Sequence, residues 1–313
     1  MRIEYHRTLI ADKARNQALF QALKELIIKG ETVVADIGTG TGLLALMALK
    51  LGAREVHVYE TSPEMAQLAQ AIFKKNHAKN YYLYPCRSTE MMDPPKVDLI
   101  VSETLGNYAL EENIIETLND ARKRMLKSGG KIIPSKIVQY ASPVISPRIA
   151  DELAAWARVG YGFDLAPAYS KSLNNIYVRK FALKELLTKP KTGNVWDIVD
   201  LTVPQKQNRQ GHTTWTLPRD HMIYGFAYWW EAELCKNVKM STSPDLPPTH
   251  WEQLYFPLEK PLSAKKGDKV TLEVCSESSF EMGTNLRWSS LHKGSNNKVL
   301  TRQTLDLNKG WIP

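Results

Sequence analysis

A short apolar run followed by a glycine-rich turn, at residues 33–42, constrains the fold more than any other part of the sequence. Residues 33–37 have the composition of a buried strand. Gly38, Gly40 and Gly42 follow, so the backbone can turn sharply there and approach a ligand closely. Residues 43–51 then continue as a helix. This order predicts the first strand–turn–helix unit of a parallel sheet, with a ligand at the carboxyl ends of the strands.

The same alternation of strand and helix continues to residue 133. Gly129 and Gly130 are expected to end the last helix, because glycine is a frequent helix stop. The pattern predicts a Rossmann-like parallel sheet wrapped by helices. The predicted helices are 43–51, 64–76 and 112–126, and the predicted strands are 33–37, 56–59, 81–84, 97–101 and 131–133.

The pattern changes after Pro134. Residues 222–228 and 269–274 follow a period of two, which indicates antiparallel strands. Residues 150–191 between them have a helical composition. We therefore predict an α/β protein with two domains. Residues 1–133 form an N-terminal helix and the parallel sheet, and residues 134–313 form an antiparallel β-barrel domain with a helical arm at about 160–191.

Composition excludes several classes of protein. Hydrophobic residues make up 43% and charged residues 24% of the chain, as in ordinary globular domains. No run of about 18 apolar residues exists and residues 1–13 lack a signal peptide, so we expect neither membrane attachment nor secretion. Cys86, Cys235 and Cys275 lie far apart, which favours a reducing compartment without disulfides or a metal site. We expect a cytoplasmic protein. The net charge of +8 comes from scattered lysines, so nucleic acid is not the expected partner.

Two acidic residues near the glycine turn indicate the class of ligand. Glu60 ends the second strand, where a carboxylate can accept both hydroxyl hydrogens of a ribose. Asp36 precedes Gly38 by two positions and can support the turn and an ammonium group, where it would repel a pyrophosphate. The glycine spacing also differs from the Gly-x-Gly-x-x-Gly of dinucleotide sites. These residues predict a site for S-adenosylmethionine, with S-adenosylhomocysteine as the product.

A loop with a carboxylate at each end follows the fourth strand. Glu103 and Glu112 bound it, at the sheet edge where substrates meet the cofactor. The Pro-Pro-aromatic element that enzymes methylating base amino groups often carry here is absent. A guanidinium stays protonated and offers planar donors, so two carboxylates can clamp it from two sides. Glu111 and Glu112 can also be read as first-turn residues of a helix, which the helix dipole favours.

Several motifs together resemble those of the protein arginine N-methyltransferase family. Residues 103–112 look like the double-glutamate loop of that family, with the same spacing. Residues 241–244 and 248–251, Ser-Thr-Ser-Pro and Pro-Thr-His-Trp, are similar to its threonine-histidine-tryptophan loop and the segment before it. Residues 6–15 resemble its helix leading into the cofactor site, and residues 161–164 the opening of its dimerisation arm.

The resemblance implies a role for each matching residue. Arg15 would pair with the methionine carboxylate of the cofactor, and Glu103 and Glu112 would bind the substrate arginine. Asp12 and His250 would form a hydrogen-bonded pair that lines the site and helps to remove a proton, and Trp251 would shape the arginine entrance. The resemblance also implies a homodimer joined head to tail through the arm. The cofactor-binding residues would be Arg15, Asp36, Gly38, Gly40, Gly42, Glu60, Arg87 and Ser88.

The leading hypothesis is an arginine N-methyltransferase acting on a peptide or protein. The family usually carries an aromatic-rich helix before the first matching histidine, whereas Tyr5 is the only aromatic residue before His6 here. This departure motivates a second hypothesis, in which the substrate is free arginine or a small guanidino metabolite. A third is a catalytically idle, cofactor-binding dimeric scaffold. Leu9 and Ile114 occupy positions that are often methionine, and the methylation state of the product cannot be read from them.

Overall fold

The computed structural model describes residues 3–188 and 193–311. Helices and strands alternate up to residue 133, and strands dominate after it. The helices are α1 (Ile3–Ala11), α2 (Lys13–Leu26), α3 (Leu43–Lys50), α4 (Pro63–Lys75), α5 (Ile114–Arg124), α6 (Arg148–Leu153) and α7 (Ala166–Leu173). The strands are β1 (Val33–Ile37), β2 (Glu55–Tyr59), β3 (Tyr81–Tyr84), β4 (Val97–Val101), β5 (Leu126–Ile133), β6 (Lys136–Val144), β7 (Tyr177–Arg179), β8 (Asn194–Asp200), β9 (Asn208–Thr216), β10 (His221–Cys235), β11 (Val238–Ser241), β12 (Gln253–Ala264), β13 (Lys269–Ser279), β14 (Gly283–Lys293) and β15 (Val299–Asp306).

The first five strands form the predicted parallel sheet, in the order β3-β2-β1-β4-β5. Every residue of β1 is buried, as expected for a central strand covered on both faces. The strand order reverses direction between β1 and β4, where Asp36 lies opposite Val101. Ligands bind at such a switch point. The glycine turn after β1 and the carboxylate loop after β4 therefore lie side by side.

The strands after residue 133 form two antiparallel sheets, which confirms the predicted change of architecture. One sheet has the order β7-β12-β10-β6-β8, with β11 also paired to β10, and the other the order β15-β14-β13-β9. Aromatic rings join the sheets across the interior of this body. Trp215 stacks on Phe226 with 5.7 Å between ring centroids, and Trp288 stacks on Phe256 at 5.5 Å. We call this body the barrel domain.

Three predicted boundaries are wrong. Helix α5 begins at Ile114 rather than 112, because Asn113 adopts a left-handed conformation that helices do not continue. Strand β5 begins at Leu126 rather than 131, so Gly129 and Gly130 lie inside a strand whose pairing register shifts around them. The helical arm ends near Leu173, since β7 pairs with β12. Residues 189–191 of the predicted arm lie outside the described residues.

The N-terminal segment is two helices rather than one. Asp12 separates α1 from α2 and caps α2, since its carboxylate accepts a hydrogen bond from the backbone N–H of Arg15. This capping fixes the start of α2 beside the parallel sheet. In the part of the chain that the structure describes, no helix has the length and apolar character needed to cross a bilayer.

Two glycines with similar backbone angles allow a matched test of packing. Gly42 and Gly129 have φ of +83° and +78°. A Cβ on Gly42 would lie 2.6 Å from the ring of Phe73, whereas a Cβ on Gly129 would meet nothing within 4 Å. Both alanine variants should lose about 1–2 kcal/mol of stability for the left-handed conformation. Gly42→Ala should lose about 1–3 kcal/mol more from overpacking. Urea unfolding measures the difference, and equal losses would contradict the packing argument.

Candidate active site

A cavity of about 450 Å³ lies at the carboxyl ends of β1, β2, β3 and β4. Its size falls within the range of about 300–1,000 Å³ that is usual for ligand sites. The lining comes from helix α1, the glycine turn, the ends of β2 and β3, and the loop after β4. Lining residues include Tyr5, His6, Arg15, Gly38, Thr39, Gly40, Glu60, Met65, Arg87, Ser88, Glu103, Thr104, Glu112 and Phe280.

The glycine turn forms one wall of this cavity, and Asp36 supports it from below. A Cβ on Gly38 would lie 2.8 Å from Cγ2 of Thr104, so only glycine fits there. The Asp36 carboxylate accepts hydrogen bonds from the Thr39 hydroxyl at 2.6 Å and from the Ala45 N–H at 3.0 Å. Burial raises the pKa of Asp36 to about 6, although these hydrogen bonds oppose the shift. Its Oδ1 is buried and contacts no hydrogen-bond partner within the described ranges.

Glu60 lines the cavity and is fixed by backbone hydrogen bonds. Its carboxylate accepts hydrogen bonds from the N–H of Gly40 and of Ser62, each at 2.9 Å. These contacts hold both oxygens beside the glycine turn, at the carboxyl end of β2. Arg87 and Ser88 lie further along the same wall, directly after β3.

Arg15 and Glu103 form a buried ion pair on the floor of the cavity. The side chains are 7% and 5% exposed. Arg15 Nε donates to Glu103 Oε2 at 2.6 Å, and Arg15 Nη2 donates to the same oxygen. Burial raises the pKa of Glu103, and the Arg15 guanidinium opposes that shift. One predicted clamp carboxylate therefore already binds a guanidinium, that of the residue predicted to bind the cofactor.

Glu112 is the second predicted clamp carboxylate, and no described cation forms an ion pair with it. It lines the cavity and reaches solvent, yet the surrounding protein desolvates it in part and raises its pKa to about 7. The charges of Glu103 and Glu111 raise this pKa further, as expected for carboxylates that share one site. Tyr5 lines the cavity beside these acids, and desolvation followed by their charges raises its pKa to about 12.

The barrel domain holds the loop that carries the two clamp residues. The indole N–H of Trp251 donates to Leu105 O at 2.9 Å, and that of Trp230 donates to Gly106 O at 3.0 Å. The Tyr228 hydroxyl accepts from the Ala109 N–H at 3.1 Å. Further contacts join Glu252 N to Asn107 Oδ1 and the Tyr108 hydroxyl to Ser276. Because these donors and acceptors come from the barrel, the loop conformation depends on both domains.

Glu111 belongs to the loop itself rather than to the cavity. Its carboxylate accepts a hydrogen bond from the Tyr108 N–H at 3.2 Å. A Cβ on Gly106 would lie 2.1 Å from its side chain, so Gly106 makes room for it. The alternative reading of Glu111 and Glu112 as first-turn helix residues is wrong, since both precede α5.

Asp12 and His250 form the predicted hydrogen-bonded pair, but behind the cavity wall. His250 Nδ1 lies 2.8 Å from Asp12 Oδ2, and the His250 N–H donates to the same oxygen at 2.7 Å. Burial alone would raise the pKa of Asp12, but hydrogen bonds from Arg15 and His250 outweigh it and lower the pKa. Burial lowers the pKa of His250, and Asp12 opposes that shift. The pair joins the barrel domain to the start of α2, and so positions Arg15.

The comparisons with known proteins agree with this geometry. A family model described as the arginine methyltransferase oligomerization subdomain matches residues 138–288, and one described as ribosomal protein L11 methyltransferase matches residues 16–156. Protein arginine N-methyltransferase 6 of Xenopus tropicalis is 29% identical over 284 residues, covering 87% of this chain and 83% of its own. The family model, the curated relatives and the solved structures together support assignment to the protein arginine N-methyltransferase family.

Other relatives extend this family assignment. An arginine N(omega)-methyltransferase of Streptomyces achromogenes subsp. streptozoticus is 27% identical over 279 residues, covering 86% of this chain and 75% of its own. Among solved structures, the PRMT1 enzyme–prozyme heterotetrameric complex with AdoHcy from Trypanosoma brucei aligns with a TM-score of 0.86. It shares 22% identity over 98% of both chains, which supports the fold.

Some predicted site residues lie outside the cavity lining, Asp36 and Gly42 among them. Gly42 begins α3 and packs against Phe73, and Trp251 is buried behind the loop that it holds. Trp251 therefore contacts the loop after β4 at Leu105 and does not line the cavity itself. No motif in the sequence points to Trp230 or Phe280. Trp230 continues the strand pattern of 222–228, but nothing in that pattern indicates a contact with the loop after β4.

The raised pKa of Glu112 predicts a pH-dependent stability. In the folded chain this carboxyl titrates near 7 instead of its ordinary 4.5, so the folded state binds more protons between those values. Stability should therefore fall as pH rises from about 4.5 to about 7. Glu112→Gln removes this effect. It should melt at a higher temperature than the original protein at pH 8, and the difference should shrink at pH 5.

Differential scanning calorimetry at both pH values measures this difference. Glu281→Gln, which changes an exposed carboxylate on a barrel hairpin, is the matched control and should show no such pH dependence. A Glu112→Gln variant that is no more stable than the original protein at pH 8 would contradict the assignment.

Proposed function

We propose that this protein is an S-adenosylmethionine-dependent N-methyltransferase that transfers a methyl group to the guanidinium of arginine in a peptide or protein. One observation carries the proposal. A buried carboxylate beside the glycine turn, Glu103, binds a guanidinium within this chain, and a second carboxylate nearby, Glu112, lacks one. The site is therefore built to receive one more cation of the same kind.

The cavity fits the cofactor on its own geometry. Gly38 and Gly40 have φ of +77° and +55°, and a Cβ on either would lie within about 3 Å of a facing side chain, so the wall stays open for a ligand. Glu60 would hold the ribose hydroxyls. Asp36, with its free and buried Oδ1, would support the amino end. Arg15 would hold the methionine carboxylate, and to do so its guanidinium has to leave or share Glu103.

In the proposed methyl transfer, the cofactor and the two clamp carboxylates, Glu103 and Glu112, have separate roles. When bound, S-adenosylmethionine supplies an electrophilic methyl group on its sulfonium. Glu103 and Glu112 bind the substrate guanidinium from two sides and localise its positive charge on the bonded nitrogens. The remaining nitrogen is thereby aligned, so catalysis comes mainly from positioning and electrostatics.

His250 is the group we propose for removing the proton. Asp12 has a lowered pKa and accepts a hydrogen bond, so the Nδ1 of His250 carries the hydrogen of that bond. Nε2 is then free to accept a proton, and it is buried without a hydrogen-bond partner in the described part of the chain. The lowered pKa of His250 keeps the ring neutral near pH 7. Its position behind the wall requires Tyr5, edge-on to it at 6.5 Å, to move or to relay the proton.

A second candidate substrate is free arginine or a small guanidino metabolite. The name of the Streptomyces relative specifies arginine without the word protein. The same clamp would bind either substrate, because both present the same guanidinium. The cytoplasmic location stays a prediction from the cysteine pattern.

The clamp is tested by Glu103→Gln, with transfer from labelled S-adenosylmethionine as the readout. The change removes the charge that binds guanidinium, so transfer should fall by roughly 10²–10³-fold, as when one charge-stabilising group is lost. Binding of S-adenosylhomocysteine should persist. Assaying a protein extract and free arginine in parallel identifies the acceptor class, and mass spectrometry reads the methylation state.

Glu281→Gln is again the matched control and should keep full activity. Full activity in Glu103→Gln would reject the clamp. Tight cofactor binding without transfer to either acceptor by the original protein would favour the idle scaffold.

We also propose a homodimer formed through the arm at residues 148–173. The family match includes an oligomerization subdomain. The tip of the arm exposes large apolar side chains, with Tyr161 87% and Phe163 70% exposed. Such residues at a projecting tip are typical of a contact surface rather than of a solvated one.

Replacing both Tyr161 and Phe163 by serine should convert the dimer into a monomer. Sedimentation equilibrium should give twice the mass of one chain for the original protein and a single-chain mass for the variant. Tyr82→Ser, at a position half exposed on the edge strand β3, is the control and should leave the dimer intact. A monomeric original protein would refute the proposal.

A further inference from the structure

The barrel domain contributes one described residue to the lining of the cofactor cavity, Phe280. It lies at the tip of the hairpin that joins β13 to β14, where Ser279 pairs with Gly283. All the other described lining residues precede residue 118. The hairpin therefore reaches from the barrel across to the parallel sheet.

Phe280 faces a cation that belongs to the same cavity. The guanidinium carbon of Arg87 lies 4.6 Å from the centroid of the Phe280 ring, within the range of a cation–π contact. Arg87 also lines the cavity, directly after β3. Its side chain makes no hydrogen bond or ion pair with any other described residue. The ring of Phe280 is thus the group that holds this guanidinium in place.

The hairpin is hydrogen-bonded to the loop after β4 that carries Glu103 and Glu112, which we call the substrate loop, and to helix α5, which follows that loop. The Phe280 N–H donates to Glu116 Oε2 in α5 at 3.1 Å, and the Thr284 hydroxyl donates to Glu111 O at 3.2 Å. Ser278 and Thr284 join the two hairpin strands through their hydroxyls. The position of Phe280 is therefore set by the same segment that carries Glu112.

The place of the Arg87–Phe280 pair along the cavity indicates which part of a ligand it meets. In the sheet order β3-β2-β1-β4, Glu103 follows β4, Glu60 follows β2 and Arg87 follows β3, so the three residues lie in the order Glu103, Glu60, Arg87 along the carboxyl edge of the sheet. A ligand with its methyl donor beside Glu103 and its ribose at Glu60 extends its purine towards Arg87. A guanidinium in contact with an aromatic ring also suits stacking with a further planar group.

We propose that Phe280, through its contact with Arg87, is a cofactor-binding residue that forms the purine-end wall of the site. The inference rests on the proposed function, since it takes S-adenosylmethionine as the cofactor. It makes cofactor affinity depend on the barrel domain and not on the parallel sheet alone. Because the same hairpin contacts Glu111 and Glu116, it also fixes the purine-end wall relative to the substrate loop.

The test measures binding rather than turnover. Isothermal titration gives the Kd of S-adenosylhomocysteine and of 5′-methylthioadenosine, which retains the purine and lacks the amino acid end. Phe280→Ala should weaken both ligands by roughly three- to tenfold, the size of a cation–π contact near a surface. Phe280→Tyr should restore affinity. Arg87→Ala should weaken binding similarly, and the double variant should lose less than the product of the single losses.

Met282→Ala is the matched control, because Met282 lies on the same hairpin tip and is 71% exposed outside the cavity lining. It should bind both ligands as the original protein does, and thermal melting verifies that every variant is folded. Unchanged affinity in a folded Phe280→Ala, or independent effects of Phe280→Ala and Arg87→Ala, would overturn the proposal while leaving the methyltransferase assignment intact. No binding of S-adenosylhomocysteine by the original protein would overturn both.

Discussion

The hydrogen bonds between the barrel domain and the loop after β4 are the interactions on which the site depends. The loop has no regular structure, so its backbone groups need partners from elsewhere. The indoles of Trp251 and Trp230 and the hydroxyl of Tyr228 supply them. Glu103 and Glu112 stand at the ends of this loop. The parallel sheet brings the loop to the cofactor cavity, and the barrel decides its shape.

Negative charge is concentrated in this site beyond what the structure neutralises. Arg15 compensates Glu103, and backbone groups bind Glu60 and Glu111. Glu112 has no comparable partner among the described residues, and burial, followed by the charges of Glu103 and Glu111, raises its pKa to about 7. Carboxylates held near one another repel, and a permanently charged guanidinium relieves that repulsion. The arrangement lowers the stability of the protein with an empty site and favours binding of a cation. Such a loss of stability in favour of binding is typical of functional sites.

The network around Asp12 shows how residues far apart in the chain act together. One carboxylate caps α2 through its Oδ1 and binds both the backbone and the ring of His250 through its Oδ2. Arg15, three residues into the capped segment, is thereby directed towards Glu103. The barrel domain thus influences both members of the Arg15–Glu103 ion pair. Trp251 contacts the loop that carries Glu103, and His250 contacts Asp12, which caps the helix of Arg15.

The sequence by itself determined the parallel sheet, the glycine turn and the presence of two acids after β4. These follow from short-range patterns: apolar runs, residues that permit positive φ, and the rule that ligands bind at the carboxyl ends of strands. The tertiary structure alone decided that Arg15 binds Glu103, that Asp12 and His250 lie behind the cavity wall, that Trp251 supports the loop, and that Phe280 enters the cavity. Those contacts join residues tens to hundreds of positions apart. No local period encodes such distances, because they arise only when the barrel packs against the sheet.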